Sequence, residues 1–362
     1  MRRILLIAAG LVLIPVGISY TTTMLRHSST RFGVRSVEWL RDHGASPIVS
    51  WIEDTYYSIN APAKGGRTLR SLSVGGLTLR PIHRARPAYM PARIRPVIHP
   101  ALRGEGVWRA TFDNPRIPPP VLVTKFRSDP AYPQLVAGVA WIRAGTTRMR
   151  YIPGVVEPPV PLPRGSTAGE VPPAQRSGLL ATFNGGFKLK DAAEGFAAAG
   201  HTWSPLLDGI GTLVQHSNGR WDVISWHDGP NLPPGMVFAR QNLPLIINHG
   251  LLNPNLSDGP QWGFTVGNAI RVWRSGIGVD SRGNLLYAAA NYQTVGSLAR
   301  ILLRAGAVRA LELDINQDWI TFITYRHPGA RTPSQLLPDI LKPATRYMTP
   351  DDRDFFAVFL KR

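Results

Sequence analysis

The chain has 362 residues, 41 Lys and Arg against 23 Asp and Glu, a formal charge of +18, and 44% hydrophobic residues. This length allows one large domain with appendages or two ordinary domains, and the apolar fraction excludes a wholly disordered polycation. The sequence contains no cysteine, which excludes disulfides, iron–sulfur clusters, thiolate zinc sites and a cysteine nucleophile.

The N-terminus has the pattern of an export signal. Arg2 and Arg3 precede an uncharged apolar run over 4–20, which is typical of a signal anchor or of a cleaved signal peptide. We therefore predict a membrane segment over 1–25, with a buried core helix as the alternative. An anchor would hold the rest of the chain outside the cytoplasm at the cell membrane, and a cleaved signal would let it be secreted.

Residues 26–104 are predicted to be an amphipathic segment followed by a basic tether. Apolar side chains at helical spacing over 34–58 indicate a helix that lies on a membrane surface, caps the folded domain or is simply solvated. Residues 61–104 hold nine Lys and Arg, six Pro and no acid, which is typical of an extended segment attracted to an anionic surface. No nucleic-acid-binding motif accompanies this charge, so nucleic acid is not expected as a partner.

From residue 105 onward, short β-like runs alternate with turn signals. The predicted strands lie at 121–126, 135–142, 148–152, 179–183, 211–215, 221–226, 245–248, 270–279, 285–290, 308–314 and 320–325. A hairpin turn is predicted at Asn218-Gly219, because both residue types tolerate positive φ, and a loop over 153–173. The fold class is therefore α+β: a β-rich mixed-sheet domain over 105–330 with a few packed helices, followed by a C-terminal extension over 331–362.

One helix of this domain is predicted with both of its ends. Apolar side chains recur at i, i+3, i+4, i+7 and i+8 from Val295. Thr294 or Ser297 is available as the N-cap, and Gly306 as the stop.

The first cluster that suits chemistry is an apolar strand that runs into Asn184-Gly185-Gly186-Phe187. Two glycines bring backbone amides to a turn with no Cβ in the way, which suits anions and sugar hydroxyls. An ordinary turn at the end of a strand is the alternative.

The second cluster is Arg274 within the apolar run 272–279. A guanidinium buried without a partner is very costly, so this strand predicts an anionic partner. That partner is either an internal carboxylate or a substrate phosphate, which the planar guanidinium can bind through two hydrogen bonds.

The third cluster is a pair of carboxylates, Glu312 and Asp314, which share one face of a predicted strand. Such pairs serve glycoside hydrolysis. With Asn316 and Asp318 they could instead bind a divalent cation such as Ca²⁺ or Mg²⁺, or they could be a solvated strand end. The histidines have no metal-ligand spacing, so no cofactor is expected, with a divalent cation at the carboxylates left open.

In this order and spacing, the three clusters resemble the phosphodiester glycosidase family, in its bacterial exported branch, over roughly 120–325. The family's Asn-Gly-Gly-Phe turn matches 184–187, its strand Arg before a Gly-containing hairpin matches Arg274 and Gly283, and its Leu-Asp matches Leu313 and Asp314. The sequence departs from the family at 315–319, where Ile-Asn-Gln-Asp-Trp stands in place of Gly-Gly-Gly-Ser. Bulky side chains there would block close approach of a ligand to the backbone.

The resemblance implies an envelope-anchored hydrolase that cleaves the bond between a sugar's anomeric carbon and a phosphodiester oxygen. Its substrate would be a phosphorylated glycan or glycopolymer. The catalytic pair would be Asp314, as nucleophile or base, with Glu312 in support, and Arg274 would hold the phosphate. The residues implied in substrate binding are Asn184, Gly185, Gly186, Arg274, Asn316 and Asp318.

Two other classes of protein remain open. The first is a non-catalytic module on the same fold that binds envelope glycopolymers, which the replaced glycine loop favours. The second is a structural envelope protein in which Arg274 and Asp314 are paired internally, with a close contact between Arg274 and a carboxylate in a filled core that has no pocket.

Overall fold

The structure, a computed structural model, describes residues 2–73, 89–112, 114, 117–160, 169–192, 194–257, 259–262, 271–327 and 329–361. Its helices are α1 (Arg2–Leu25), α2 (Phe32–Leu40), α3 (Ser46–Ile59), α4 (Leu189–Ala192) and α5 (Val295–Arg304). Its strands are β1 (Arg109–Ala110), β2 (Val121–Asp129), β3 (Tyr132–Ile142), β4 (Thr147–Ile152), β5 (Leu179–Asn184), β6 (Phe196–Ala198), β7 (His201–Ser204), β8 (Gly211–His216), β9 (Trp221–Ser225), β10 (Met236–Gln241), β11 (Ile247–Asn248), β12 (Leu251–Leu252), β13 (Val272–Asp280), β14 (Leu285–Gln293), β15 (Ala307–Glu312), β16 (Phe322–His327), β17 (Arg331–Gln335) and β18 (Phe355–Leu360).

The strands form three antiparallel sheets. An eight-stranded sheet has the order β1-β2-β3-β14-β13-β15-β11-β12, and two five-stranded sheets have the orders β7-β6-β10-β8-β9 and β17-β16-β5-β18-β4. The protein is thus sheet-rich with few helices, as the α+β prediction requires.

One buried cluster draws on all three sheets and forms the main core. At its centre Phe183 of β5 stacks on Phe322 and Phe356, with ring centroids 5.9 and 5.3 Å apart. All six residues of β5 are buried, because the strand lies between β16 and β18 and both of its faces are covered. This packing fixes the end of β5, where Asn184 and the glycine turn begin.

Helix α5 packs against the outer face of the eight-stranded sheet and begins and ends where the sequence predicts. Thr294 is its N-cap, with a capping box to Ser297, and Gly306 follows its end with φ +101°. Gly276 of β13 lets the helix approach, since a Cβ there would lie 3.1 Å from Leu302 Cδ1. The helix thereby covers β13, β14 and β15, the strands that lead to the third cluster.

Thr294→Ala should lower the free energy of unfolding by about 1 kcal/mol, because the first turn of α5 loses the side-chain acceptor for the Ser297 N–H. Chemical denaturation of the variant beside Thr68→Ala, an exposed threonine of the tether, measures this effect. Equal losses in both variants would contradict a capping role.

Each of the predicted strands over 121–325 overlaps an observed one, and the Asn218-Gly219 turn is confirmed, with φ +83° at Gly219. The short strands β6, β7, β10 and β12 escaped sequence analysis because they lack a clear alternating pattern. Residues 331–362, predicted as an extension, supply β17 and also β18, which lies between β5 and β4. Residue 270 of one predicted strand, 74–88 of the predicted tether and 161–168 of the predicted loop lie outside the described residues.

The N-terminal apolar run is helical, within α1. Among the described residues, no helix combines the length and the apolar character that crossing a membrane needs. The amphipathic segment forms α2 and α3, separated by a kink at His43 and Gly44. Trp39 of α2 holds the hairpin of α1 and α2 together, because its ring packs 5.1 Å from that of Tyr20 and its Nε1 donates to Ser19.

Residues 28–30, between α1 and α2, are fixed to the folded domain just ahead of β18. The Ser28 and Thr30 hydroxyls both donate to the Asp352 carboxylate, and the Asp352 N–H donates to the Ser29 hydroxyl at 3.0 Å. This attachment places α2 and α3 beside the loop that carries Asp314.

Candidate active site

Asp314 lies two residues beyond the end of β15 and is held by main-chain and side-chain bonds. Its N–H donates to the carbonyl of Gly185 (3.3 Å), and its carbonyl accepts from the Ser275 hydroxyl (2.7 Å). Its Oδ1 accepts from the Asn316 N–H (2.9 Å) and its Oδ2 from Arg353 Nη2 (2.8 Å). The carboxylate is therefore held in one orientation.

Burial controls the protonation of this carboxyl group. Asp314 is 4% exposed, and burial raises its pKa above the usual aspartate range. The Arg353 guanidinium and the Asn316 N–H oppose burial but do not cancel it. A carboxylate that binds its proton more tightly than usual is also a stronger base when it has lost that proton.

Arg353 comes from the segment just before β18 and links Asp314 to the glycine turn. Its Nη2 also donates to the Gly186 carbonyl (2.9 Å), and its guanidinium lies 5.1 Å from the Trp319 ring centroid. Burial lowers the pKa of Arg353, but the surrounding carboxylates, Glu38 of α2 among them, outweigh burial and raise it. The guanidinium is thus a fixed cation beside the Asp314 carboxylate.

A cleft of about 490 Å³ opens over these groups. One wall belongs to the folded domain and the other to α2 and α3. The lining residues of the domain are Phe187, Lys188, Lys190, Asp191, Leu243, Gln261, Asp314, Ile315, Asn316, Trp319 and Arg353, and those of the helical segment are Glu38, Arg41, Asp42, Ser46 and Ser50. Two carboxylates, three cations and two aromatic rings thus line the domain side of the cleft.

Two acidic side chains of the helical wall pair with cations of the domain wall. Glu38 accepts a hydrogen bond from Lys188, and the two side chains are 25% and 13% exposed. Asp42 pairs with Lys190 at 2.5 Å, where both side chains are more than 40% exposed. The Glu38 carboxylate is therefore bound to the partly buried cation Lys188, in the same cleft as Asp314. The outer pair, Asp42 and Lys190, is solvated and contributes little to stability.

Asn184 lies beneath the cleft and saturates its amide with protein partners. It donates to the Ser275 hydroxyl (3.0 Å) and to the Gly185 carbonyl (2.9 Å), and it accepts from the Tyr287 hydroxyl (2.8 Å) and from the Thr321 N–H (3.1 Å). Because Ser275 in turn donates to the Asp314 carbonyl, Asn184 braces the loop that carries the carboxylate.

The two glycines of the turn sit where side chains would collide with the protein. A Cβ at Gly185 would lie 2.9 Å from the Asp354 carboxyl group, and one at Gly186 would lie 2.6 Å from the Asn242 side-chain oxygen. The Gly185 N–H donates to the Asp354 carbonyl at 3.2 Å. The glycine turn is thus required by close packing around Asp314.

Arg274 and Glu312 form a buried ion pair at 2.5 Å, with side chains 4% and 0% exposed. Arg274 also donates to the main-chain carbonyls of Gln293 and Trp262, each at 3.1 Å. Burial raises the pKa of Glu312 to about 7, although Arg274 lowers it, and Glu312 Oε2 has no hydrogen-bond partner in the described part of the chain. The sequence left open whether Arg274 meets a carboxylate or a phosphate, and in this structure it meets a carboxylate.

The polar side chains of the loop after Asp314 lie in two different places. Asn316 lines the cleft, and its side-chain oxygen accepts from the Asp318 N–H at 2.9 Å. Asp318 is partly exposed and raises the pKa of Tyr57 in α3, after burial and other groups. Of the residues proposed from the sequence, Asp314 and Asn316 thus line the cleft, while Asn184, Glu312 and Arg274 are not among the described residues that do.

Three residues of the cleft were not predicted from the sequence: Lys188, Trp319 and Arg353. Lys188 directly follows the Asn-Gly-Gly-Phe turn, and Arg353 lies among acids just before an apolar strand, whereas Arg274 stood out because it lies within an apolar run. No group of three or more His, Cys, Asp or Glu able to hold a metal ion occurs in the part of the chain that the structure describes.

No protein-family model matches this sequence, and no curated protein matches it significantly. Solved structures do match the fold. The catalytic domain of zebrafish N-acetylglucosamine-1-phosphodiester alpha-N-acetylglucosaminidase, auto-inhibited by a pro-peptide, matches with a TM-score of 0.44 and 13% identity, over 70% of this chain and 88% of that one.

Two bacterial proteins are similar at the same level. A hypothetical protein from Synechocystis matches with a TM-score of 0.40 and 14% identity, over 68% of this chain and 65% of its own. A presumed exported protein from Burkholderia pseudomallei matches with a TM-score of 0.40 and 11% identity, over 64% of this chain and 75% of its own. These matches are a distant relationship of fold and assign a role to no residue.

Proposed function

We propose that the chain is a hydrolase that cleaves the bond between a sugar's anomeric carbon and a phosphodiester oxygen. The observation that carries the proposal is a buried carboxylate, Asp314, that opens onto a cleft together with the cations Lys188 and Arg353. A substrate with a sugar beside a phosphate needs this combination, because the sugar carbon needs a nucleophile or base and the phosphate needs fixed positive charge.

The proposed reaction needs no reactant other than the substrate, Asp314 and water. Asp314 attacks the anomeric carbon, the bond from that carbon to the phosphodiester oxygen breaks, and the oxygen leaves with the electron pair as a phosphate anion. Water then cleaves the glycosyl ester and restores Asp314. If Asp314 acts as a base instead, it takes the proton of an attacking water. A phosphate anion is a good leaving group, so little help from a general acid is needed.

In this proposal Lys188 and Arg353 hold the phosphate. Arg274 remains on Glu312 beneath the cleft, where their ion pair supports the strands that carry Asp314. Asn316 offers an amide for the hydroxyl groups of the sugar. The Glu38 carboxylate is bound to Lys188, where the phosphate would bind, so the substrate would have to displace Glu38.

Lys188→Gln should raise KM for a sugar-1-phosphodiester about tenfold, because one charged contact to phosphate is lost. Glu38→Gln should lower KM severalfold, since the neutral amide competes less for Lys188. Steady-state kinetics measure both effects. The matched control is Glu170→Gln, because Glu170 forms a similar partly exposed pair with Arg176, 28% and 21% exposed, and does not line the cleft. Unchanged KM in both cleft variants would contradict the phosphate position.

The second candidate is a non-catalytic module that binds envelope glycopolymers bearing phosphate. It is favoured by the fact that both Asp314 oxygens already have partners, and by Ile315 in the loop that lines the cleft. This candidate predicts saturable, salt-sensitive binding with no product released.

In either case the proposed partner is a phosphorylated glycan outside the cytoplasm, since the sequence begins with the pattern of an export signal. Assay of the full chain against sugar-1-phosphodiesters, with release of free sugar as the readout, separates the two candidates. Binding without release would support the module, and absence of both would overturn both.

A further inference from the structure

Helix α3 is amphipathic, and its apolar side faces solvent. Ile48, Trp51, Ile52, Tyr56 and Ile59 recur at i, i+3, i+4, i+8 and i+11, which places them on one side of a helix. Their exposed fractions are 64%, 69%, 54%, 54% and 78%. An amphipathic helix of a globular protein normally turns this side toward the core, so the exposed apolar stripe requires a partner.

The opposite side of α3 faces the folded domain. Val49 is 4% exposed, Ser50 lines the cleft, and burial raises the pKa of Tyr57 to about 12. The helix is thus seated on the domain by its more polar side, and turning it over to bury the stripe would break these contacts.

Exposed apolar side chains are concentrated in the N-terminal helices. Of the twenty exposed large apolar residues in the described chain, eleven lie in 14–59. Ile14, Ile18 and Leu25 of α1 are among them, so the α3 stripe belongs to an apolar helical segment.

The charge that follows α3 identifies the chemistry of its partner. Residues 60–73 contain no acid, and Lys64, Arg67 and Arg70 are exposed. This stretch lies along the start of β3, where Gly65 N–H donates to Ala131 O and Gln134 Nε2 donates to Ala63 O, each at 2.8 Å. The cations are therefore held near the C-terminal end of the stripe.

We propose that the α3 stripe docks on an anionic lipid surface. Apolar side chains with Trp and Tyr among them, followed by cations, are typical of helices that lie in the membrane interface. The apolar residues would enter the boundary between headgroups and acyl chains, and the cations would meet anionic headgroups. Because Ser46 and Ser50 of this helix line the cleft, docking would bring the cleft close to the lipid surface.

The test uses the full chain with one introduced thiol, which is specific because the sequence has no cysteine. An environment-sensitive dye is attached after Ile52→Cys, or after Leu251→Cys as the matched control, since Leu251 is 72% exposed on the folded domain. Vesicles of phosphatidylcholine with phosphatidylglycerol should shift the emission at position 52 to the blue and raise its intensity severalfold. Vesicles of phosphatidylcholine alone should do so less, and position 251 should not respond.

A second measurement separates α3 from α1. Trp51→Gln combined with Ile52→Gln should weaken flotation with the mixed vesicles about tenfold, whereas Leu251→Gln with Leu252→Gln should leave it unchanged. A chain that floats while the dye at position 52 does not respond would overturn the proposal. A dye response that needs no vesicles, rises with protein concentration and accompanies a dimer mass would also overturn it, in favour of a second copy of the chain.

Discussion

Asp314→Asn is expected to lower kcat for a sugar-1-phosphodiester by about a thousandfold or more, because an amide can neither attack the anomeric carbon nor take a proton from water. The amide has the size of the carboxylate it replaces, and its single oxygen can still accept from one of the two donors, the Asn316 N–H or Arg353. The shape of the cleft should therefore survive, and substrate binding should change far less than turnover.

Two measurements keep this result interpretable. Asp208→Asn, at an exposed position outside the cleft, should turn over substrate like the unmodified chain. Thermal unfolding of Asp314→Asn should show that the fold is intact. Equal turnover in Asp314→Asn and in the unmodified chain would remove Asp314 from the mechanism and with it the hydrolase proposal.

The pH dependence gives an independent check on the same carboxylate. Burial raises the pKa of Asp314, and only its deprotonated form can act as nucleophile or base. The rate should therefore fall as pH falls through that raised pKa, which is a higher pH than for an exposed aspartate. A rate that falls only at the pKa of an ordinary exposed aspartate would mean that another group limits the reaction.

The part of the fold that sequence analysis predicted best is the unit from β13 to β15. Its strands are long apolar runs, its hairpin has a Gly at the turn, and α5 carries its own cap and stop. These signals are local, so periodicity and capping rules suffice. The strand β18 was not predicted, because its pairing between β5 and β4 depends on tertiary contacts. One of these contacts is Phe356 against Phe183.

The candidate site was predicted in part for the same reason. The sequence indicated that Asp314 lies at a strand end, and it does line the cleft. Alternation along a strand shows that Arg274 is buried but not which anion it meets. That choice depends on the register of β13 against β15, which places Gly276 opposite Glu312. Arg353 and Glu38 come to the cleft from opposite ends of the chain, so no local pattern could place them there.

Arg274→Ala is expected to lower the free energy of unfolding by about 3–5 kcal/mol, because removal of one member of a buried ion pair leaves the other without compensation. Both side chains are almost inaccessible to solvent, at 4% and 0% exposed, so water cannot replace the lost partner. The carbonyls of Gln293 and Trp262 lose a donor as well. Since Arg274 does not line the cleft, KM for a sugar-1-phosphodiester should stay close to that of the unmodified chain wherever the variant is folded.

The stability lost in Arg274→Ala should depend on pH, and the direction of this dependence follows from the protonation of Glu312. Burial already raises the pKa of Glu312 to about 7, above the usual glutamate range, and without Arg274 that pKa should rise further. The folded state then holds a proton that the unfolded state releases, so stability should fall as pH rises from about pH 5 to about pH 8, more steeply in Arg274→Ala than in the unmodified chain. Urea denaturation at the two pH values measures this difference.

The double variant Arg274→Met with Glu312→Leu should recover most of the stability, because it leaves no buried charge. A single variant that stays stable but binds phosphodiesters more weakly would instead return Arg274 to the role that the sequence suggested, with its guanidinium on the substrate phosphate.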